Sequence, residues 1–327
     1  MIFGITMGDS SGVGPEIILN AFRKGEIRHH VIVFGDLAVL ELCNQRLGYN
    51  QALRAAAGSQ DYRDGFVNVR DFGLMRAEDV TPGQINRKSG AAAREYVIAA
   101  AQAALRGEIA AMVTLPMNKE ATQLSDPEFV GHTELIGAVC GSPDVTIMLA
   151  SEQLIVTHVS THVSLRTAIE RTKQDRIKKI LRLTSDAVSR LKENPRIAVA
   201  GLNPHAGENG LFGREDIEEI RPAVEWARAQ GMPVDGPLPP DTLFYLAVRK
   251  KRYDAIVCMY HDQGHIPLKL LDFEGGVNVA LGLPIIRTSV DHGTAFDIAY
   301  QGVASTASLI SALEFAARLA ARSQTTM

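Results

Sequence analysis

His261, Asp262, His265 and Lys269 fall within ten residues, 260–269, of sequence Tyr-His-Asp-Gln-Gly-His-Ile-Pro-Leu-Lys. Two imidazoles, a carboxylate and an amine so close together are the side chains that bind metals, carry protons and hold anions. The preceding residues 255–259, Ala-Ile-Val-Cys-Met, have the length and composition of a buried strand. The polar group is therefore expected at a strand's carboxyl end, where open α/β sheets carry their sites. His162 follows another apolar run, 154–159, and His205 follows a third, 197–201. Three strand ends offering one imidazole each are compatible with one shared metal and equally with three separate core histidines. Three neutral imidazoles with an open position would suit zinc or another borderline divalent ion better than a calcium cage.

Other segments carry weaker signals. Residues 8–16, Gly-Asp-Ser-Ser-Gly-Val-Gly-Pro-Glu, lie between an expected strand and an expected helix. Their glycines would let amides approach an anion at the helix start, or serve a tight turn with no ligand. Pro15 and Glu16 directly follow Gly12-Val13-Gly14, so this is not the usual dinucleotide fingerprint. Gly131-His132-Thr133-Glu134 opens a helix, where Thr133 is a candidate cap and the amides a candidate anion site. Lys269, Asn278 and Arg287 stand in or beside a glycine-rich apolar stretch, 268–289, and polar groups there need partners. A phosphate or carboxylate ligand would serve, and so would an internal salt bridge with Asp272 or Glu274. Asp291-His292-Gly293-Thr294-Ala295 is expected to start a helix, as a cofactor-edge turn or a plain cap. His158 reads as a core residue, and His29 and His30 as surface residues at a strand entrance.

The elements that must position these groups alternate. Strands are expected at 2–6, 30–34, 110–114 and 255–259, and helices at 15–22, 37–47, 86–105, 172–192, 214–229 and 306–323. Pro15 suits a first helical turn. Residues 145–150 and 154–159, separated by Ser-Glu-Gln, suggest a local antiparallel pair. The pattern predicts an α/β protein with a mostly parallel, helix-covered sheet in two domains, the second inserted into the first. At 327 residues the chain is long enough for two domains. Net charge is −3 with no Lys/Arg block, which argues against a nucleic-acid surface and for small-molecule partners. Cys43, Cys140 and Cys258 are odd in number and widely spaced, as reduced intracellular thiols are. With no signal-peptide pattern and no apolar run near 18 residues, the expected protein is soluble and cytoplasmic, with no membrane partner.

Taken together, residues 8–16, 131–134, 161–162, 201–208, 236–244, 259–264 and 276–295 resemble the 4-hydroxythreonine-4-phosphate dehydrogenase family, including its catabolic relatives acting on D-threonate and D-erythronate 4-phosphate. The resemblance implies a fold like isocitrate and isopropylmalate dehydrogenases. It implies an α/β domain of residues 1–125 and 282–327 contributing NAD-binding elements, and an inserted domain of 126–281 with metal and substrate ligands and the dimer interface. By the same resemblance, His162, His205 and His261 bind one divalent cation per subunit: zinc, cobalt, magnesium or manganese. His132, Thr133, Lys269, Asn278 and Arg287 contact substrate, and His292, Gly293 and Asp297 fall at the NAD site. Asp241, Asp262 and Lys269 are the implied catalytic groups, with Asp241 and Asp262 open between proton handling and orienting a ligand histidine. The implied assembly is a homodimer sharing its active site between subunits.

The implied reaction is NAD-dependent oxidation at C3 of a 4-phosphorylated four-carbon hydroxy acid, followed by decarboxylation. Ser10-Ser11 stands where the family usually has Pro-Ala, expected to loosen that turn. His265 matches the catabolic branch, which favours D-threonate or D-erythronate 4-phosphate, with dihydroxyacetone phosphate and CO2 as products, over the biosynthetic substrate. A three-histidine metal hydrolase or lyase and a non-catalytic anion-binding protein are the readings from other classes.

Overall fold

The computed structural model describes residues 1–323. It divides into two compact units, one made of Met1–Val145 with Leu283–Ala320 and one containing Thr146–Gly282. The first unit holds strands β1 (Ile2–Thr6), β2 (His30–Gly35), β3 (Leu53–Ala55), β4 (Val67–Asp71), β5 (Ala111–Thr114) and β12 (Arg287–Val290). They run in the order β3-β4-β2-β1-β5-β12, every pair parallel. Its helices are α1 (Gly14–Arg23), α2 (Leu37–Leu47), α3 (Arg87–Leu105), α4 (Lys119–Gln123), α5 (His132–Val139) and α11 (Ala307–Ser323). β5 is buried at all four positions, as a strand covered on both faces must be.

Local chemistry sets the helix ends. α1 begins where Gly14 passes Met7, whose carbonyl oxygen would lie 2.1 Å from any added Cβ, and Pro15 occupies the first turn. The Asn86 side chain accepts from the amides of Lys88 and Ser89 and caps α3. α2 ends at Gly48, whose φ of 64° lies in the left-handed region.

The second unit holds β6 (Thr146–Ala150), β7 (Ile155–His158), β8 (Ile197–Ala200), β9 (Val234–Leu238), β10 (Ala255–Cys258) and β11 (Val277–Leu281), with helices α6 (Leu165–Arg171), α7 (Gln174–Ser189), α8 (Arg221–Ala229), α9 (Pro240–Val248) and α10 (His261–Leu271). The order is β11-β6-β7-β10-β8-β9. β11, β6 and β7 run antiparallel to one another in turn, whereas β7, β10, β8 and β9 are parallel neighbours. The expected antiparallel pair is β6 with β7, and the mostly parallel α/β class holds. α7 buries Ile177, Ile180 and Leu181 against Val199, Val257 and Met259. That stripe at helical spacing fixes the strand ends from which the histidines emerge.

Three expected helices differ. The 172–192 helix is α7 alone, Gln174–Ser189, and a separate short helix with no counterpart in the expected pattern, α6, precedes it across an extended Lys173 (φ −118°). The 214–229 helix opens as a π-helical turn at Asp216–Ile220 before α8. Where a helix is expected to start at residue 291 there is a short 3-10 turn, Phe296–Ile298, because Ala295 (φ 44°) and Tyr300 (φ 60°) are left-handed and interrupt a helix. Among the described residues no helix is long and apolar enough to cross a membrane.

Candidate active site

Three parallel strands of the second unit, β7, β8 and β10, end in histidine-bearing segments. His261 is the first residue of α10, directly after β10. Its Nδ1 lies 2.7 Å from Asp262 Oδ1, so the carboxylate orients the ring and leaves Nε2 as the outward donor. His162, beyond β7, sits with its ring centroid 5.4 Å from that of His261. One helical turn on, His265 stacks on His261 at 3.5 Å with 13° between the rings. His265 Nδ1 lies 3.2 Å from His158 Nε2 and 3.0 Å from the His261 carbonyl oxygen. His158 is fully buried at the end of β7, as a core residue should be. Burial, with the His265, His261 and His162 imidazoles around it, holds its pKa down to about 3. Gly264 makes this packing possible, since a Cβ there would lie 2.5 Å from His158 Nε2 and 2.9 Å from Cys258 Sγ.

His205 arrives differently. It lies in a turn, Pro204–Gly210, in which residues 205–209 have φ of 52°, 53°, 79°, 39° and 57°. A left-handed conformation costs about 1–2 kcal/mol at each non-glycine residue, so surrounding groups must impose this one. Buried Asp216 accepts from the amides of Leu202 (2.9 Å) and Asn203 (3.1 Å) and from Asn203 Nδ2 (2.9 Å). Gln263 adds a second tie, donating to the Gly201 carbonyl and accepting from the Met259 amide, each at 2.7 Å.

Two imidazoles facing each other, one already anchored by a carboxylate, have the donor chemistry of a borderline divalent metal site. Within one chain, however, no group of three or more His, Cys, Asp or Glu side chains among the described residues converges as a metal set. Of the other implied residues in this unit, Asp241 is exposed in the first turn of α9. Lys269 lies on α10 with its Nζ 5.4 Å from the centre of the Phe273 ring. Asn278, on β11, has a buried Oδ1 without a partner. Asp272 Oδ1 accepts from the Gly275 amide at 2.7 Å.

In the first unit, Arg287 is 3% exposed and donates through Nε and Nη2 to Thr114 Oγ1, at 3.1 and 2.7 Å. A neutral hydroxyl does not balance a buried guanidinium, and burial lowers its pKa to about 10 while Glu134 pulls it up. His132, the first residue of α5, has a buried Nε2 with no partner. Burial first, then the Arg287 charge, hold its pKa down to about 3 against a hydrogen bond with the Leu115 backbone. Arg287 and His132 thus form an anion-seeking pair. Thr133 and Glu134 line a neighbouring cavity of about 510 Å³. The cap of α5 is Gly131, with no side-chain capping bond, so Thr133 does not cap.

His132 gives a pH signature. Its ordinary value is 6.5 and its folded value about 3. Above 6.5 both states are neutral; below it only the unfolded chain takes up a proton, so stability falls as pH drops from 6.5 toward 3. At about 1.4 kcal/mol per unit, this site removes at most about 2 kcal/mol between pH 6.5 and 5. Urea unfolding at pH 7 and pH 5 is expected to show a smaller loss in His132→Gln than in the parent chain.

The glycine loop proves to be an anchor. The amides of Asp9, Ser11, Gly12 and Val13 reach the Pro116 carbonyl, Asp9 Oδ1, the Asp9 carbonyl and the Thr294 carbonyl. With these donors satisfied, the tight-turn reading holds. Ser10 Oγ donates to Ser89 Oγ (2.8 Å), which donates to Asp9, so Ser10 ties the turn to α3 instead of loosening it. Tyr300 donates to the Ser10 carbonyl (2.8 Å), and the Ala304 amide donates to Glu16 Oε1 (2.8 Å). His292 Nδ1 lies 2.9 Å from the Gly293 carbonyl, and Asp297 sits in the 3-10 turn. Sequence reasoning passed over Thr114, Gln263 and Asp216. Gln263 lies inside the 260–269 motif and Thr114 ends the expected strand 110–114, whereas nothing near Asp216 marks that residue.

Fold and side chains together are those of an α/β enzyme. The family model described as pyridoxal phosphate biosynthetic protein PdxA matches residues 27–316. D-threonate 4-phosphate dehydrogenase of Cupriavidus necator is 43% identical, over 98% of each chain. 4-Hydroxythreonine-4-phosphate dehydrogenase of Desulforapulum autotrophicum is also 43% identical, over 97% of this chain and 94% of its own. The crystal structure of 4-hydroxythreonine-4-phosphate dehydrogenase from Klebsiella pneumoniae superposes with a TM-score of 0.89 at 42% identity, covering 98% of this chain and 99% of the other. The chain belongs to the PdxA family, and with these relatives named dehydrogenases it is an oxidoreductase.

Proposed function

We propose that the protein oxidises C3 of D-threonate or D-erythronate 4-phosphate with NAD and releases CO2, leaving dihydroxyacetone phosphate. The observation that carries this reading is Arg287, a buried cation whose hydrogen-bond partner is a neutral hydroxyl and which an anionic substrate group would neutralise. Lys269 would hold a second anionic group of the substrate. His162, His205 and His261 would bind a divalent cation, whose positive charge, when bound, stabilises negative charge developing on substrate oxygen. Asp262 holds the His261 ring, and Asp241 would take up or return a proton. Hydride loss from C3 to NAD and proton loss from its hydroxyl give the 3-oxo acid. Loss of carboxylate as CO2 then leaves an enolate, which a proton quenches. His292, Gly293 and Asp297 would border NAD. A homodimer suits the apolar stripe of Ile266, Leu270 and Phe273, which are 61%, 85% and 73% exposed. The partner copy could then contribute to the histidine set.

The biosynthetic reading, with 4-phosphohydroxythreonine as substrate, is favoured by the name of the Desulforapulum autotrophicum relative. NADH formation, measured in parallel on 4-phosphohydroxythreonine, D-threonate 4-phosphate and D-erythronate 4-phosphate with a divalent metal, decides between them. Turnover is expected with the threonate or erythronate phosphate. No NADH from any of the three, with NAD and metal bound, would sink the dehydrogenase reading.

A further inference from the structure

The left-handed run 205–209 carries a proposed metal ligand yet contains four non-glycine residues, so something outside the run must hold it. Asp216 is placed to do so. Its carboxylate is fully buried, at the head of the π-helical turn Asp216–Ile220. It receives both backbone amides that lead into the turn, Leu202 and Asn203, together with Asn203 Nδ2. The carboxylate also packs inside the turn: a Cβ on Gly201 would lie 2.8 Å from Oδ1, and one on Gly207 3.3 Å from Oδ2. Asn203 is itself braced, its Nδ2 donating to Glu215 Oε2 at 2.8 Å. From the other side, Gln263 joins the Gly201 carbonyl to the Met259 amide, tying the entrance of this turn to the strand end that bears His261.

We infer that Asp216 is a positioning residue for His205, holding the left-handed turn in the one conformation that presents the imidazole to metal. The inference rests on the proposed role of His205. It predicts that Asp216 contributes to metal affinity only through that histidine, although it is not itself a ligand. Side chains that orient ligands in this way commonly contribute 10- to 100-fold to affinity.

The test is a double-mutant cycle on metal-stripped full-length protein, with Zn2+ alone as the probe, its affinity read by competition with a chromophoric chelator. Asp216→Asn keeps the shape but sets an amide N–H against incoming N–H donors. It is expected to weaken Zn2+ binding about 10- to 100-fold with the far-UV circular dichroism spectrum unchanged. In the background of His205→Ala the same substitution is expected to change affinity by less than threefold, because the ligand it acts through is gone. Additive losses, or an Asp216→Asn protein that binds Zn2+ like the parent while His205→Ala does not, would overturn the inference and leave the three-histidine reading standing. If His205→Ala itself binds Zn2+ like the parent, both fall. Should Asp216→Asn fail to fold, Gly207→Ala carries the same cycle, because it strains the turn at a φ of 79° without touching a ligand.

Discussion

His261→Ala is expected to lower kcat/KM for the phosphorylated hydroxy acid by about 10³-fold or more, roughly 4 kcal/mol of transition-state stabilisation. The size follows from how much converges on that ring. Asp262 anchors its Nδ1 at 2.7 Å, His265 stacks on it at 3.5 Å, and His162 faces it. Alanine removes the outward-facing donor and leaves the others without the group they organise. NADH formation at saturating NAD measures the effect, with far-UV circular dichroism as the control for folding. A loss under tenfold would mean that this histidine stands outside the chemistry.

Arg287→Met should separate activity from stability. Activity is expected to fall by about 10²–10³-fold in kcat/KM, mostly through KM, as when one member of a buried charge pair is deleted. Stability of the unliganded protein is expected to hold or rise, because a buried cation costs more to desolvate than its hydrogen bonds to Thr114 Oγ1 and the attraction of Glu134 return. Thermal melts without substrate and initial rates across substrate concentration read the two effects. A lower midpoint together with an unchanged KM would show that Arg287 is structural.

Much of this arrangement was legible in the sequence because it rests on local patterns. The runs at 2–6, 111–114, 197–200 and 255–258 are short and mostly apolar, and each is a buried strand. The histidines that follow them were therefore correctly expected beyond strand ends. β3, β4, β9, β11 and β12 went unassigned. They carry polar residues or glycine and proline, as in Val-Asp-Gly-Pro-Leu of β9, and owe their extended form to neighbouring strands. The partners of Arg287 and His205 were illegible for a related reason. Thr114 lies 173 positions from Arg287, and Asp216 holds the His205 turn through backbone amides, which have no sequence signature. The sequence marks His265 as part of the polar cluster and as a clue to substrate, but its contact with His158 depends on the absence of a Cβ at Gly264.

The first unit is drawn from both ends of the chain. β12 lies beside β5, Thr288 Oγ1 donates to the Ala312 carbonyl, and Tyr300 and Ala304 close over the loop at Ser10 and Glu16. During synthesis, the amino-terminal segment must therefore wait, with the β5 edge uncovered, until β12 has left the ribosome. The inserted segment, complete by residue 282, can fold earlier. Premature stop codons between β5 and β12 would leave a nascent chain with a sticky sheet edge, an open invitation to chaperones and to aggregation.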